Sequence, residues 1–274
     1  MNITFKNGNT YISRDGLFEP SKTFDCGQCF RFERIDGGWR GIAYGKELTV
    51  IEGDEIELVG VGSDEFYGIW RQFFDLDRDY EEIKNCLSAD SVVKNALESA
   101  KGIRIMRQEK WETLCSFIIS QNNNIPRIKG IIGRLCESFG DKITGGYAFP
   151  SAERIAVLTE EDLAPIRSGF RARYILDAAT RVSSGEINLD SLSDMSYDDA
   201  KRCLMQIKGV GNKVADCVLL FGYGFFDAFP NDVWIKRVIE KYYGDSFDEA
   251  VFKPYGGIAQ QYLFYSERGF DGNK

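Results

Sequence analysis

Residues 207–217 read IKGVGNKVADC, and the organisation of the chain turns on what this stretch is. Upstream of it, SYDDAKRCLMQI (196–207) has the apolar spacing of an amphipathic helix with Ser196 placed to cap it. Downstream, VADCVLLFGYG (214–224) has the spacing of a second. Lys208-Gly209-Val210-Gly211 is then the hairpin between two helices. Glycines there tolerate positive φ and let a foreign backbone approach closely, while the unpaired N–H groups at the start of the second helix form an anion site. The spacing L-x-x-I-x-G-V-G-x-K-x-A-D fits a helix-hairpin-helix that grips a nucleic-acid phosphate without reading sequence, through Gly209, Val210 and Gly211.

Lys213 falls in the first turn of the second helix, where the positive pole of the helix disfavours a cation by a few tenths to about 1 kcal/mol. An ordinary lysine is free base in only about one molecule in 2,500 at pH 7. Desolvation and a nearby positive potential enlarge that fraction, so Lys213 is a candidate nucleophile; contact with a phosphate is the plainer alternative. Phe229-Pro230-Asn231-Asp232 follows, just before the helix VWIKRVIEKYY. Asp232 has the position of that helix's N-cap, and a carboxylate fixed there is also well placed to stabilise developing positive charge.

The chain of 274 residues contains no histidine, which removes histidine bases, histidine triads and most zinc and iron sites. Catalysis must run on Lys, Asp, Glu, Cys, Tyr or Ser. Seven scattered cysteines fit reduced thiols, and the one close pair, Cys26-Gly-Gln-Cys29, has no second pair to complete a metal set. No metal and no cofactor are expected, with an alkali metal on the hairpin carbonyls left open. The net charge of −8 argues alone against nucleic acid, but cations cluster in KGIRIMRQEK (101–110) and RSGFRAR (167–173). No run is apolar enough to span a membrane, and the N-terminus lacks the pattern of a secretion signal, so a cytoplasmic protein with no membrane partner is expected, nucleoid-associated if prokaryotic.

From Tyr11 to Val61 apolar and polar residues alternate between turn clusters, so FRFERI, WRGIAY, ELTVIE and EIELVG are predicted as antiparallel strands in a meander. After Ser63 the period becomes helical: DEFYGIWRQFFDL, DYEEIKNCL, SVVKNALESA and EKWETLCSFIISQ, then 126–139, 171–183, 197–206, 212–222, 232–243 and 255–266. Strands first and helices afterwards indicate an α+β fold. The expected division is 1–100, the sheet with the helices that follow it, and 101–274, a helical domain with the helix-hairpin-helix at about 197–222.

A helix-hairpin-helix, a lysine just after it and a loop ending in aspartate resemble the HhH-GPD superfamily of base-excision DNA glycosylases. Further motifs narrow the resemblance to the 8-oxoguanine DNA glycosylases: PGVGxKVADC at 208–217 apart from Lys208, SxNNNIxRI at 120–128, GYRARY at 169–174 and SGQxFR at 26–31 with one change each, and AQxxLF at 259–264. The resemblance implies a TBP-like antiparallel sheet followed by a two-lobed helical domain. It also implies a bifunctional glycosylase and AP lyase acting as a monomer on duplex DNA that carries 8-oxoguanine opposite cytosine.

Carried onto this chain, the resemblance makes Lys213 the nucleophile and Asp232 its charge-stabilising partner. Gly27 would offer its carbonyl to the lesion's N7–H, Gln260 would read the Watson–Crick edge, and Phe264 and Cys217 would sandwich the base. Asn122 would fill the vacated stack, Arg127 would bond the estranged cytosine, and Phe170, Arg171 and Arg173 would lie at the DNA surface. Three departures stand out: Phe170 where a tyrosine is usual, Trp234 where a histidine is common, and Cys26 in place of a serine. Rival readings are a glycosylase for another damaged base and a non-catalytic DNA-binding module. Against one rival, no cysteine follows Cys217 to hold an iron-sulfur cluster.

Overall fold

The computed structural model describes residues 1–269. Six strands form one antiparallel sheet: β1 Ile3–Lys6, β2 Asn9–Ser13, β3 Phe32–Ile35, β4 Gly38–Ala43, β5 Lys46–Glu52 and β6 Glu55–Val59, in the order β1-β2-β6-β5-β4-β3. The four predicted strands are β3 to β6 and run as the expected meander. Two more were not foreseen as strands. β2 pairs with β6, setting Ile12 opposite Ile56, and β1 returns along β2 through Asn7-Gly8, both at positive φ. Asn-Gly at those two positions matches the right-handed twist of the flanking strands.

Alternation on β5 and β6 puts Leu48, Val50, Ile56 and Leu58 on one fully buried face. Onto it pack Phe18, Phe24, Trp70, Phe73 and Phe74, partly from the helical run Ser63–Glu65, Phe66–Trp70 and Arg71–Phe73. The remaining helices enclose a second and larger core. The helices Tyr80–Leu87 and Ser91–Ser99, read in the sequence as the tail of the first domain, share that second core through Ile83, Leu87, Val93 and Leu97. Their apolar faces are clear in the sequence; which core they join is decided by the C-terminal helix Gly256–Arg268 packing on Ser91–Ser99.

The cation cluster at 101–110 lies at the junction of the two cores, where Ile103 and Ile105 join one core and Met106 the other, so it is not the solvated helix face that its charge suggests. Arg104 is 2% exposed and donates to the carbonyls of Leu17 and Asp75 at 2.9 and 2.6 Å, with its guanidinium 4.4 Å from the Tyr80 ring centroid. Arg107 pairs with Asp75 and Lys110 with Asp190. Among the described residues no helix is long and apolar enough to cross a membrane.

Candidate active site

The predicted hairpin joins the helices Tyr197–Leu204 and Asn212–Val218, with Ser196 capping the first by accepting from the Asp199 N–H at 3.2 Å. A buried carboxylate ties the two together: Asp216 accepts from the Tyr197 hydroxyl at 2.6 Å and pairs with Lys201 at 2.7 Å. Burial still raises the Asp216 carboxyl above its ordinary range, against the pull of both partners. The two hairpin glycines do different work. Gly209 has φ +80°, and a Cβ there would lie 2.4 Å from the Tyr174 ring, so both backbone and packing require glycine. Gly211 has φ −100°, needs no positive φ, and borders open space at the helix start.

Val210 does not fit the phosphate-binding role expected of it. Its side chain is 5% exposed and its N–H donates to the Ile207 carbonyl at 3.0 Å, so that donor closes the turn. The open side of the turn is at Gly211, beside the N–H groups that begin Asn212–Val218.

Lys213 leaves this helix start toward a cavity of about 660 Å³ that Asp232 also lines. Its amine is 3.5 Å from the Ser120 hydroxyl and 5.3 Å from the centroid of Phe117, an arrangement that attracts an ammonium. Ser120 ends the helix Lys110–Ser120, and the sequence motif that contains it does not mark it for this contact. Asp232 caps Val233–Val238: Oδ1 alone accepts from Trp234 N–H and Ile235 N–H, each at 2.9 Å, which fixes the carboxylate at the cavity edge.

Gly27 and Phe264 line the same cavity. Gly27 has φ +78°, and a Cβ on it would lie 3.4 Å from the Phe264 ring and 3.6 Å from Ile125. Cys217 and Gln260 stand behind the lining, at 3% and 4% exposure, each one turn from a lining residue, Lys213 and Phe264 respectively. Burial pushes the Cys217 thiol up to about 11 although the Lys213 charge pulls the other way. Among the described residues the buried Oε1 of Gln260 has no hydrogen-bond partner, an uncommon state for a buried acceptor. Burial also raises the Cys26 thiol, to about 12, so this thiol of the C-x-x-C pair is held protonated.

The loop Gln121-Asn122-Asn123-Asn124 closes the cavity's rim. Asn124 caps Ile125–Phe139 by accepting from Arg127 N–H at 3.0 Å, while Asn122 is exposed at φ +45°, a conformation asparagine tolerates better than most residues. Arg171 was expected at the DNA surface and is not there. It is 2% exposed and donates to the carbonyls of Ser168, Gln121 and Asn122, so it holds this loop from beneath. Phe170 is 45% exposed with Arg171 beneath its ring, and Arg127 and Arg173 are exposed outside the cavity. Trp234 and Arg268 also line it, and the Arg268 guanidinium lies 5.8 Å from the Phe264 centroid; nothing in the sequence pattern marked Arg268.

Residues 115–251 match the model of the HhH-GPD superfamily of base excision DNA repair proteins, and residues 11–114 match the N-terminal domain of 8-oxoguanine DNA glycosylase. The chain belongs to the 8-oxoguanine DNA glycosylase family within that superfamily. It is 35% identical over 272 residues to the N-glycosylase/DNA lyase of Saccharomyces cerevisiae, covering 88% of this chain and 72% of the yeast protein. Among solved structures, the 8-oxoguanine glycosylase/lyase of Clostridium acetobutylicum, in complex with double-stranded DNA containing cytosine opposite 8-oxoG, superposes with a TM-score of 0.92 at 37% identity. That match covers 98% of each chain. MBOgg1 bound to a low-affinity DNA ligand gives 0.91 at 45% identity over 97% of this chain and 98% of its own.

Proposed function

We propose that this protein excises 8-oxoguanine from duplex DNA and then cuts the strand at the resulting site, as a bifunctional glycosylase and AP lyase. The observation that carries the reading is the placing of Lys213 and Asp232 at two helix starts on one cavity that Gly27 and Phe264 also line. A cavity of about 660 Å³ has room for a purine turned out of the duplex.

In this reading the Lys213 amine adds to C1′ of the extruded nucleotide as the bond from C1′ to the base breaks, and the bonding pair leaves with the base, which takes up a proton. The sugar ring opens to a Schiff base on Nζ, and loss of a proton from C2′ expels the 3′ phosphate by β-elimination. Asp232, held by two N–H donors through one oxygen, stabilises the positive charge that develops on the sugar. The Ser120 hydroxyl, 3.5 Å from Nζ, orients the amine before attack.

Selection rests on one atom of the base. The lesion has a hydrogen on N7 where guanine has a lone pair, so the Gly27 carbonyl accepts from the first and repels the second. The orphaned Oε1 of Gln260 takes a donor from the Watson–Crick edge, and Phe264 stacks on the ring with Cys217 on its other face. Asn122 enters the vacated stack, Arg127 meets the opposite cytosine, and exposed Phe170 presses on the duplex as a wedge. Local cations such as Arg127 and Arg173 meet phosphate despite the net charge of −8.

A panel of duplexes carrying 8-oxoguanine, thymine glycol or an alkylated purine tests the reading. Release of 8-oxoguanine with strand cleavage, and little activity on the others, is the expected result; preference for another base would move the chain to a different member of the superfamily.

A further inference from the structure

We propose that Gln261 is a positioning residue for base selection: its buried amide ties the loop carrying Gly27 to the helix carrying Gln260 and Phe264, so that the two recognition walls are set as one unit. The inference rests on the reading of Gly27 given above.

Gln261 is 2% exposed, and its Nε2 donates to the Cys26 carbonyl at 2.8 Å, joining residues 235 apart in the chain. On the other side of Gly27, the Gln28 carbonyl accepts from Gln108 Nε2 at 2.7 Å. The carbonyls flanking that of Gly27 are thus each taken by a glutamine amide, which fixes the Cys26–Gly27 and Gln28–Cys29 peptides and holds between them the Gly27–Gln28 peptide that carries the Gly27 carbonyl, next to a residue at φ +78°. The Gln28 side chain anchors the loop base, donating to the Thr23 and Arg104 carbonyls at 3.0 and 2.8 Å and accepting from Met106 N–H at 2.9 Å.

Of these ties, Gln261 alone reaches the C-terminal helix. It follows Gln260 and precedes Phe264 by three residues, so the bond to Cys26 sets the spacing between the Gly27 carbonyl and the stacking ring. Without it the Cys26–Gly27 peptide is free to rotate, Gly27 loses the support on its N-terminal side that fixes its backbone dihedrals, the aim of its own carbonyl at N7 averages over a wider cone, and the Cys26 carbonyl loses this donor. A hydrogen bond that separates a lesion from its parent base depends on that aim.

The test compares two reactions of the same enzyme preparation. Excision of 8-oxoguanine needs the base to be held, whereas cleavage of a preformed abasic duplex uses Lys213 with no base present. For Gln261→Met, of similar length but with no donor, single-turnover excision is expected to fall about tenfold while abasic cleavage stays within about twofold. Gln261→Glu, which sets a carboxylate against the Cys26 carbonyl, is expected to fall further in excision alone. Proportionate loss of both reactions in both variants would overturn the proposal, since the residue would then serve only folding. Unaltered excision beside an active wild type would overturn it alone. A wild-type protein that cuts abasic duplex and leaves 8-oxoguanine in place would overturn the proposed function and this inference with it.

Discussion

The amine of Lys213 lies 3.5 Å from the hydroxyl of Ser120, across 93 residues of sequence. The contact brings the end of one helix to the start of another and sets the half-buried lysine in a cavity that the Asp232 carboxylate also lines.

Asp232 caps a helix and, in the proposed function, also stabilises charge on the sugar; one substitution separates the two. Asparagine caps a helix about as well as aspartate does but carries no charge. Asp232→Asn should therefore leave the thermal midpoint and duplex affinity nearly unchanged while lowering single-turnover excision by roughly 100-fold, the scale of losing one electrostatic contact to a transition state. Equal losses in binding and excision would leave the residue with its capping role only. Asp232→Ala removes the cap as well and should cost about 1 kcal/mol of stability in addition.

The two arginines of the Arg-Ala-Arg run should behave oppositely. Arg171→Ala strips the Ser168, Gln121 and Asn122 carbonyls of a charged donor and should destabilise the fold by about 2–3 kcal/mol, read as a lower midpoint in thermal unfolding. Arg173→Ala, on the outside, should leave the midpoint alone, weaken duplex binding evenly across sequences, and reduce the salt dependence by about one phosphate contact. Matching behaviour in the two variants would contradict this assignment.

Arg127 is exposed beside the Asn122 rim and is assigned to the base left behind when the lesion turns out. Arg127→Ala should relax the preference for cytosine opposite the lesion, measured as excision rates against the four opposing bases. Rates that keep the same order in the variant would remove it from that role.

Glu112 predicts a pH dependence of stability. Burial raises its carboxyl from near 4.5 to about 7 despite the Arg31 guanidinium 3.2 Å away. Between those values the folded chain holds a proton that the unfolded chain has released, so this group's contribution is fully present below about pH 4.5 and is lost as pH rises toward 7. Urea unfolding at pH 5 and pH 8 should show a smaller difference in Glu112→Gln than in wild type; an unchanged difference would mean that Glu112 does not titrate in that window.

What the sequence disclosed follows how far each signal reaches along the chain. The hairpin, the Ser196 and Asp232 caps and strands β3 to β6 depend on neighbours a few residues away, so spacing and turn residues exposed them. Strand β1 was missed because Ile3–Lys6 is too short to alternate, although Asn7-Gly8 is a turn signal that would have marked it. Arg171 and Arg104 were read as surface charge because an arginine is usually solvated; their burial is set by carbonyls from other segments that only tertiary packing brings within reach. Ser120 and Gln261 escaped for the same reason, their partners lying 93 and 235 residues away. The chemistry assigned to Gly27 and Gln260 came from the family resemblance, since a glycine in a turn and a glutamine on a helix carry no such meaning alone.

The central claim is that the Lys213 amine becomes covalently joined to the sugar of the extruded nucleotide. Borohydride reduction during reaction with an 8-oxoguanine duplex tests it most directly. Wild-type protein should be trapped as a stable adduct with DNA attached at residue 213, and Lys213→Gln should give none. Trapping that persists in Lys213→Gln, or an adduct mapped to another lysine, would contradict the account.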